Sequence, residues 1–181
     1  MNILVVSDVD LQGKGSGAER VLAAHCLGLT KRGHTVSLVA GIRRGEVKAV
    51  EEVQGVKVYR YRRSLRSWLT SSRLFRALSR QVPFDVLIFH QPLSALGILL
   101  ARGSRSIPKV YVFHAPWAEE YAIRAPNLKS QIPYFKFQKG GMLLRRTVER
   151  LVLRACQRIF VLSRFMADRL LKEHPGFEDR V

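Results

Sequence analysis

The sequence predicts a doubly wound α/β domain, in which helices cover both faces of a mostly parallel β-sheet and form three layers. Short runs of apolar, largely β-branched residues alternate along the chain with stretches of helical periodicity. Continuous apolar strands of this kind are typical of parallel sheets that are buried on both faces. The 181 residues match the length of one domain, and 47% of them are hydrophobic, which is enough to form a core. Residues 1–181 are therefore expected to form a single domain.

Strands are expected wherever a short apolar run is bounded by polar or turn residues. Such runs lie at residues 3–6, 35–40, 56–61, 85–89, 109–113 and 158–162. The segment at 41–55 is polar, so it is expected to be a connection with at most one short helix.

Helices are expected where apolar residues recur every three or four positions. The first follows a glycine-rich loop and extends to Arg32, with Gly33 as its C-terminal cap. The others are expected at residues 65–80, 93–102, 141–154 and 164–173. The apolar side of the 141–154 helix is expected to comprise Leu144, Val148, Leu151, Val152 and Ala155. The segment at 118–140 contains Pro126 and Pro133 and is expected to be irregular.

Charge and cysteine content limit the class of protein. Lysine and arginine number 31 against 14 aspartate and glutamate residues, a net charge of +17, which suits an anionic partner such as nucleic acid, acidic lipid headgroups or phosphorylated small molecules. Cys26 and Cys156 fall within expected helices without metal-site spacing, so they are expected to be reduced core thiols. The sequence shows neither a signal-peptide pattern nor an apolar run of about 20 residues. The expected location is the cytoplasm, with contact at a membrane surface left open.

In sheets of this class, ligands bind beyond the carboxyl ends of the strands. The residues that follow the predicted strands therefore define a candidate ligand site. They are Ser7 and Asp8 with the glycine-rich loop at 13–17, then Gly41, His90, His114 with Pro116 and Trp117, and Ser163. Two histidines at neighbouring strand ends favour a role for His114 in this site, while His90 suits either the site or a supporting position behind it.

The glycine-rich loop suits an anion, because its backbone N–H groups can approach a phosphate at the start of the first helix. A P-loop is excluded, because Asp8 stands where its first glycine is required and Gly15 follows Lys14. Gly13, Gly15 and Ala18 formally meet the dinucleotide-binding fingerprint, although they do not follow the strand directly. The arginines at 43 and 44 would then require NADP. An NADP-binding oxidoreductase domain stays an alternative, as does a loop that binds nothing.

The sequence Asp8-Val9-Asp10 has the spacing of a D-x-D metal motif. A metal ion would need further carboxylates close by, and none is evident from the sequence. The pair is therefore interpreted as a polar strand end followed by a solvated loop aspartate, and no metal site is expected.

The helix expected at 65–80 is basic and amphipathic. One of its sides comprises Leu65, Trp68, Leu69, Ser72 and Phe75. The basic stripes on this helix and on the 141–154 helix comprise Arg66, Arg73 and Arg80, and Arg146, Arg150 and Arg154. A basic amphipathic helix with an interfacial tryptophan suits binding to anionic lipid headgroups, so Arg66, Trp68, Arg73 and Arg80 are expected at a membrane surface. A core-packed helix with a solvated basic face is the alternative. No nucleic-acid-binding signature accompanies the arginines. No nucleic acid is expected as a partner, although a non-catalytic module for anionic lipid or nucleic acid stays open.

Six segments, in their order and spacing, resemble the N-terminal domains of family-4 GT-B glycosyltransferases over essentially the whole chain. They are MNILVVSD at 1–8, SGAERVL at 16–22, RGHTVSLVA at 32–40, residues 85–92, VYVFHAPW at 110–117 and RIFVLSRFMADRL at 158–170. The resemblance implies a Rossmann-like domain that receives the acceptor, with a C-terminal domain, absent from this chain, that holds most of the nucleotide. It implies transfer of a sugar from a nucleotide diphosphate sugar with retention and without a metal or other cofactor.

The resemblance also implies roles for individual residues. The active-site histidine of the family corresponds to His114, which would contact the transferred sugar or stabilise charge that develops in the transition state. The backbone at Ser16 and Gly17 would approach the donor phosphates. The acceptor side is expected to include Asp8, Glu19, His90 and Trp117. The acceptor is expected to be a lipid-linked or cell-envelope glycan at the inner face of the membrane, and the chain alone is not expected to catalyse transfer.

Overall fold

The computed structural model describes residues 1–12, 16–42, 48–64, 66–124 and 134–181. Within these ranges seven strands form one sheet. They are β1 (Asn2–Ser7), β2 (Thr35–Ile42), β3 (Val50–Val53), β4 (Val56–Arg62), β5 (Val86–Phe89), β6 (Lys109–Phe113) and β7 (Arg158–Val161). Their order across the sheet is β3-β4-β2-β1-β5-β6-β7. Only the β3–β4 pair is antiparallel among these described strands, so the predicted mostly parallel sheet is confirmed.

Helices connect the parallel strands. Within the described ranges they are α1 (Gly17–Lys31), α2 (Ser67–Ser79), α3 (Pro92–Leu99), α4 (Trp117–Arg124), α5 (Tyr134–Ala155) and α6 (Arg164–Glu173). Helix α1 connects β1 to β2, and α3 leads from β5 towards β6, as crossover connections between parallel strands require. None of the described helices is both long enough and apolar enough to cross a membrane.

The core has two parts, one on each face of the sheet. On one face Leu22 and Cys26 of α1 pack against β1, β2 and β4. On the other face α2, α3, α5 and α6 build the larger part, with Phe75, Ile98, Val152, Cys156 and Leu170. Both cysteines are free and buried, as predicted, although Cys156 follows the end of α5 and does not lie within a helix. Burial raises the pKa of each thiol to about 12. Helices on both faces confirm the three-layer domain.

The segment at 41–55 contains a strand that the sequence-based expectation lacked. Strand β2 continues to Ile42, and β3 pairs with β4 as a hairpin. The two turn residues, Gln54 and Gly55, have φ angles of 50° and 81°, as a two-residue hairpin turn with positive φ requires. The expectation of a polar connection was wrong because two glutamates between valines leave β3 without buried residues. The available signal was a pair of valine-rich runs separated by two residues that end in glycine.

The segment at 118–140 is not irregular throughout, because α4 occupies its beginning and α5 its end. Pro126 and Pro133 lie outside the described residues, and α5 begins directly after Pro133 in the sequence. Proline is tolerated at the first turn of a helix. The expectation of an irregular segment was therefore wrong for residues 118–124 and 134–140, while residues 125–133 lie outside the described ranges.

The buried side of α5 also differs from the expected one. Leu144 and Leu151 are 63% and 48% exposed. The α5 residues that are buried are Glu149, Val152 and Leu153. The buried side was predicted wrongly because a glutamate in an apolar pattern is normally assigned to the surface. Glu149 is instead buried, because it has hydrogen-bond partners inside the protein.

Helix α2 packs closely on α3 at Gly97. A Cβ atom at Gly97 would lie 1.8 Å from the backbone oxygen of Trp68, so only glycine permits this approach. Phe75 and Leu78 of α2 are buried in the core, while Arg66, Arg73 and Arg80 are exposed. Leu65 lies outside the described residues, and Trp68 is half-buried. Helix α2 therefore presents arginines, and not an apolar side, to the solvent.

Candidate active site

A cavity of about 470 Å³ lies at the carboxyl ends of β1, β5 and β6. Six of the predicted site residues line it: Asp8, Ser16, Gly17, His90, His114 and Trp117. The parallel register explains their convergence, because β1, β5 and β6 are neighbours and end at the same edge. The described lining does not include Glu19, Ser163 or the four α2 residues assigned to a membrane surface. The edge of the sheet at which a ligand was expected to bind therefore contains a cavity.

His114 and His90 form a direct pair at this edge. Nδ1 of His90 lies 3.0 Å from Nε2 of His114, so one of the two nitrogens donates a hydrogen bond to the other. His90 is buried, and its ring and that of His25 of α1 pack edge to face with ring centroids 5.5 Å apart. The Nε2 atom of His114 is thus occupied, which leaves Nδ1 for a ligand in the cavity.

Both histidines of the pair are neutral near pH 7. Burial, with a smaller contribution from the like charge of His25, lowers the pKa of His114 to about 4. Burial and the neighbouring histidines hold the pKa of His90 well below its usual range. A neutral imidazole can accept or donate one hydrogen bond at each nitrogen. His114 can therefore bind a sugar hydroxyl without bringing a positive charge into the site.

Acid is expected to destabilise the chain through His114. Its pKa is lowered from 6.5 to about 4 by folding, so the unfolded state binds more protons below pH 6.5. Stability should fall as the pH drops from 6.5 through about 4, with His114 contributing about 3 kcal/mol. Urea unfolding between pH values of about 7 and about 4 measures this fall. The variant His114→Gln should show a shallower fall, and an identical fall would refute the assignment.

Asp8 is held at the end of β1 by residues that the sequence did not single out. The hydroxyl of Tyr61 donates to its carboxylate at 3.0 Å. The side-chain oxygen of Gln91 accepts from the backbone N–H of Asp8 at 2.7 Å and from the Ser7 hydroxyl at 3.0 Å. Burial raises the pKa of Asp8, opposed by the charge of Arg63 and by hydrogen bonds. Tyr61 belongs to β4 and Gln91 is the N-cap residue of α3, 53 and 83 residues from Asp8 in the sequence, so the sequence alone could not place them together.

The first turn of α1 forms the opposite side of the cavity. The Ser16 hydroxyl accepts from the backbone N–H of Glu19 at 3.3 Å, and the Glu19 carboxylate accepts from the backbone N–H of Ser16 at 2.8 Å. This reciprocal arrangement is a capping box. Glu19 thus fixes the start of the helix, where Gly17 has open space in place of a side chain. Gly13 and Gly15, and the arginines at 43 and 44, lie outside the described residues.

Asp10 belongs to a different cluster from Asp8. Its carboxylate accepts from Nε of Arg60 at 2.6 Å, and the same guanidinium donates to Glu51 at 2.8 Å. The Asp10 side chain is only 12% exposed, so the expectation of a solvated loop aspartate was wrong. The long Arg60 side chain, anchored in β4, reaches it across β2. Within the described residues, no group of three or more histidine, cysteine or acidic side chains could hold a metal ion.

A buried pair behind the cavity fixes the loop that follows His114. Glu149 and His174 are each 1% exposed in their side chains and lie 3.1 Å apart. The Glu149 carboxylate also accepts from the backbone N–H of Trp117, at 3.2 Å. Burial raises the pKa of Glu149, and the hydrogen bond and charge of His174 oppose that rise. Sequence reasoning missed this pair, because its members are 25 residues apart and carry no motif.

Comparisons with known proteins agree with this geometry. The family model of Glycosyltransferase Family 4 matches residues 15–181. A search of curated proteins finds no match. Sucrose-phosphate synthase from Thermosynechococcus elongatus has a similar structure, with a TM-score of 0.70 and 13% identity over 95% of this chain and 45% of that one.

Two further solved structures share the fold. An alpha-glucosyltransferase in complex with UDP has a TM-score of 0.52 and 16% identity, over 97% of this chain and 39% of that one. The S. aureus MnaA–UDP structure has a TM-score of 0.55 and 11% identity, over 100% of this chain and 43% of that one. This chain thus spans less than half the length of each of these structures. The structural matches support the Rossmann-like GT-B fold, and the family match covers most of the sequence: the chain belongs to glycosyltransferase family 4.

Proposed function

We propose that this chain is the acceptor-binding half of a glycosyltransferase that moves a sugar from a nucleotide diphosphate sugar to a lipid-linked or cell-envelope glycan. The observation that carries the proposal is the cavity at the carboxyl edge of the sheet. It brings the neutral His114 together with the first turn of α1, beside the buried Asp8. Such a site can hold a sugar on one side and a phosphate on the other.

The first turn of α1 suits the donor phosphates. The N-terminus of a helix carries unpaired N–H groups and a partial positive charge, which favour a phosphate. The capping box fixes this turn, and the position at Gly17 leaves space for the close approach of a phosphate. We assign the donor diphosphate to Ser16 and Gly17, which would provide its contacts without a metal ion.

His114 suits the transferred sugar. Its Nε2 atom is occupied by His90, so the ring is held in one orientation with Nδ1 available. Groups that are fixed before the reaction stabilise developing charge without reorganising. Asp8, His90 and Trp117 line the same cavity and would face the acceptor, while Glu19 would act through the α1 cap. Transfer would proceed with retention at the sugar carbon.

A second domain is part of this proposal. The similar structures are more than twice as long as this chain, which covers 39–45% of them. We assign most contacts to the nucleotide base and ribose to a domain outside residues 1–181. The isolated chain would then bind an acceptor without turning over.

Contact with a membrane would be electrostatic. Arg66, Arg73 and Arg80 are exposed on α2, and exposed arginines attract anionic lipid headgroups. A lipid-linked acceptor would be met at this surface, on the cytoplasmic face of the membrane. Co-sedimentation with anionic vesicles across a salt series should show binding that weakens as salt rises. Equal binding to neutral vesicles would contradict an electrostatic contact.

The proposed function is tested by a transfer assay. The natural protein that carries this chain is incubated with a panel of nucleotide diphosphate sugars and lipid-linked glycan acceptors, and products are identified by mass spectrometry. We expect one donor to give a glycosylated acceptor in the absence of metal, and no product from residues 1–181 alone. Consumption of no donor with any acceptor, in protein shown to be folded, would refute the proposal.

A further inference from the structure

Arg63 is placed at the cavity by the end of the sheet. It directly follows β4, and its backbone N–H donates to the carbonyl oxygen of Ile42 at 2.8 Å. This bond continues the β2–β4 pairing by one residue beyond the strand. The Arg63 side chain lines the same cavity as Asp8 and His114. Its backbone is therefore fixed at the carboxyl edge, although its side chain is exposed.

The absence of a side chain at Gly41 makes room for the methylene groups of Arg63. A Cβ atom at Gly41 would lie 2.8 Å from Cγ and 3.3 Å from Cδ of Arg63, and 3.2 Å from Cα of Asp8. Contacts under 3.0 Å force a shift of the neighbouring atom. The absence of a side chain at Gly41 thus lets the methylene groups of Arg63 cross the end of β2 beside Asp8.

The Arg63 guanidinium has no protein partner within the described residues. Its charge lowers the pKa of Asp8, yet no ion pair joins the two among the described contacts. Arg60, three residues earlier, shows the contrast, because Asp10 and Glu51 neutralise it at 2.6 and 2.8 Å. Among the described residues that line the cavity, Arg63 is the one with a full positive charge. Its N–H donors are available to a ligand.

We propose that Arg63 is an anion-binding residue of the acceptor subsite, so that the acceptor carries a phosphate or carboxylate group close to the hydroxyl that receives the sugar. A guanidinium matches the geometry of both anions and can bind either with two parallel hydrogen bonds. The position beside Asp8 lies on the acceptor side of the cavity. Assigning the anion to the acceptor rests on the proposed function, while the anion site itself rests on the geometry alone.

The first test is binding by the 181-residue chain. Inorganic phosphate is titrated while NMR follows the Nε–H signal of Arg63 and the backbone amide of Gly17. We expect the Arg63 signal to shift as phosphate is added. In the Arg63→Gln variant, the backbone amides next to residue 63 should report an affinity for phosphate that is lower by about tenfold or more. Arg62→Gln is the matched control, because it removes the same charge from an exposed neighbour, and it should change affinity less than about twofold. Equal losses in both variants, or a shift of Gly17 alone, would overturn the anion site.

The second test identifies the source of the anion in the natural protein. Arg63→Gln should raise the KM for an anionic acceptor about tenfold or more and leave the KM for the nucleotide-sugar donor unchanged. An increase in donor KM alone would assign the anion to the donor and overturn the inference. Equal transfer to neutral and anionic acceptors would also overturn it while leaving the proposed function intact. Phosphate binding at Arg63 without any transfer would refute the proposed function and leave the anion site standing.

Discussion

Replacing His114 with alanine in the natural protein is expected to lower kcat for sugar transfer by about 10²-fold or more. His114 is the residue that reaches the cavity with one ring nitrogen already bound to His90. Alanine would remove the contact that we propose between His114 and the transferred sugar. The fold should stay intact, because the main loss is one hydrogen bond to the buried His90 ring, which costs about 1–3 kcal/mol. Steady-state kinetics with circular dichroism at the same protein concentration measure both effects.

His34→Ala is the matched control for this loss. His34 lies between α1 and β2 at the opposite edge of the sheet from the cavity, so its loss should leave kcat within about twofold of the unchanged protein. A folded His114→Ala variant with unchanged kcat would refute the assignment of the active site to this cavity. Equal losses in both variants would point to a general effect on stability.

Replacing Glu149 with alanine is expected to destabilise the chain by about 3 kcal/mol. The substitution leaves His174 and the backbone N–H of Trp117 buried without their partner. Unpaired buried polar groups each cost free energy, because they lose water without gaining a hydrogen bond. Helix α4 should also lose its fixed start next to the cavity. Urea unfolding of the 181-residue chain near neutral pH measures the change.

Two variants separate the loss of this hydrogen-bond network from a general effect of removing a glutamate. Glu149→Gln keeps an oxygen that can accept from Trp117 and should cost less than alanine. Glu52→Ala removes an exposed glutamate from β3 and should stay within about 0.5 kcal/mol of the unchanged chain. If Glu149→Ala were as stable as Glu52→Ala, the Glu149–His174 pair would not hold the loop after His114 in place.

The sheet and the convergence of its strand ends could be predicted from the sequence. Apolar runs mark buried parallel strands, and parallel strands that alternate with helices end at one edge. Asp8, His90 and His114 each follow such a run, and the structure places all three in one cavity. The chemistry of His114 could not be predicted in the same way, because its neutral state depends on burial and on His25 from α1.

The residues that sequence reasoning missed are those whose partners come from distant segments. Arg63 contributes to the cavity because Gly41 of a neighbouring strand has no side chain, and only the register of β2 and β4 reveals that contact. Glu149 interrupts the apolar pattern of α5, and its burial depends on His174. Strand β3 was missed for a related reason, since an exposed edge strand does not need apolar residues.

The central claim, that sugar transfer takes place at the cavity between α1 and His114, is tested most directly by the histidine side chains. The chain has five histidines, whose ring nitrogens can be followed by ¹⁵N NMR in the natural protein. Saturating donor and acceptor should shift the signals of His114 and His90 and leave those of His34 and His174 unchanged. Unchanged His114 and His90 signals under those conditions, with product forming, would contradict the account.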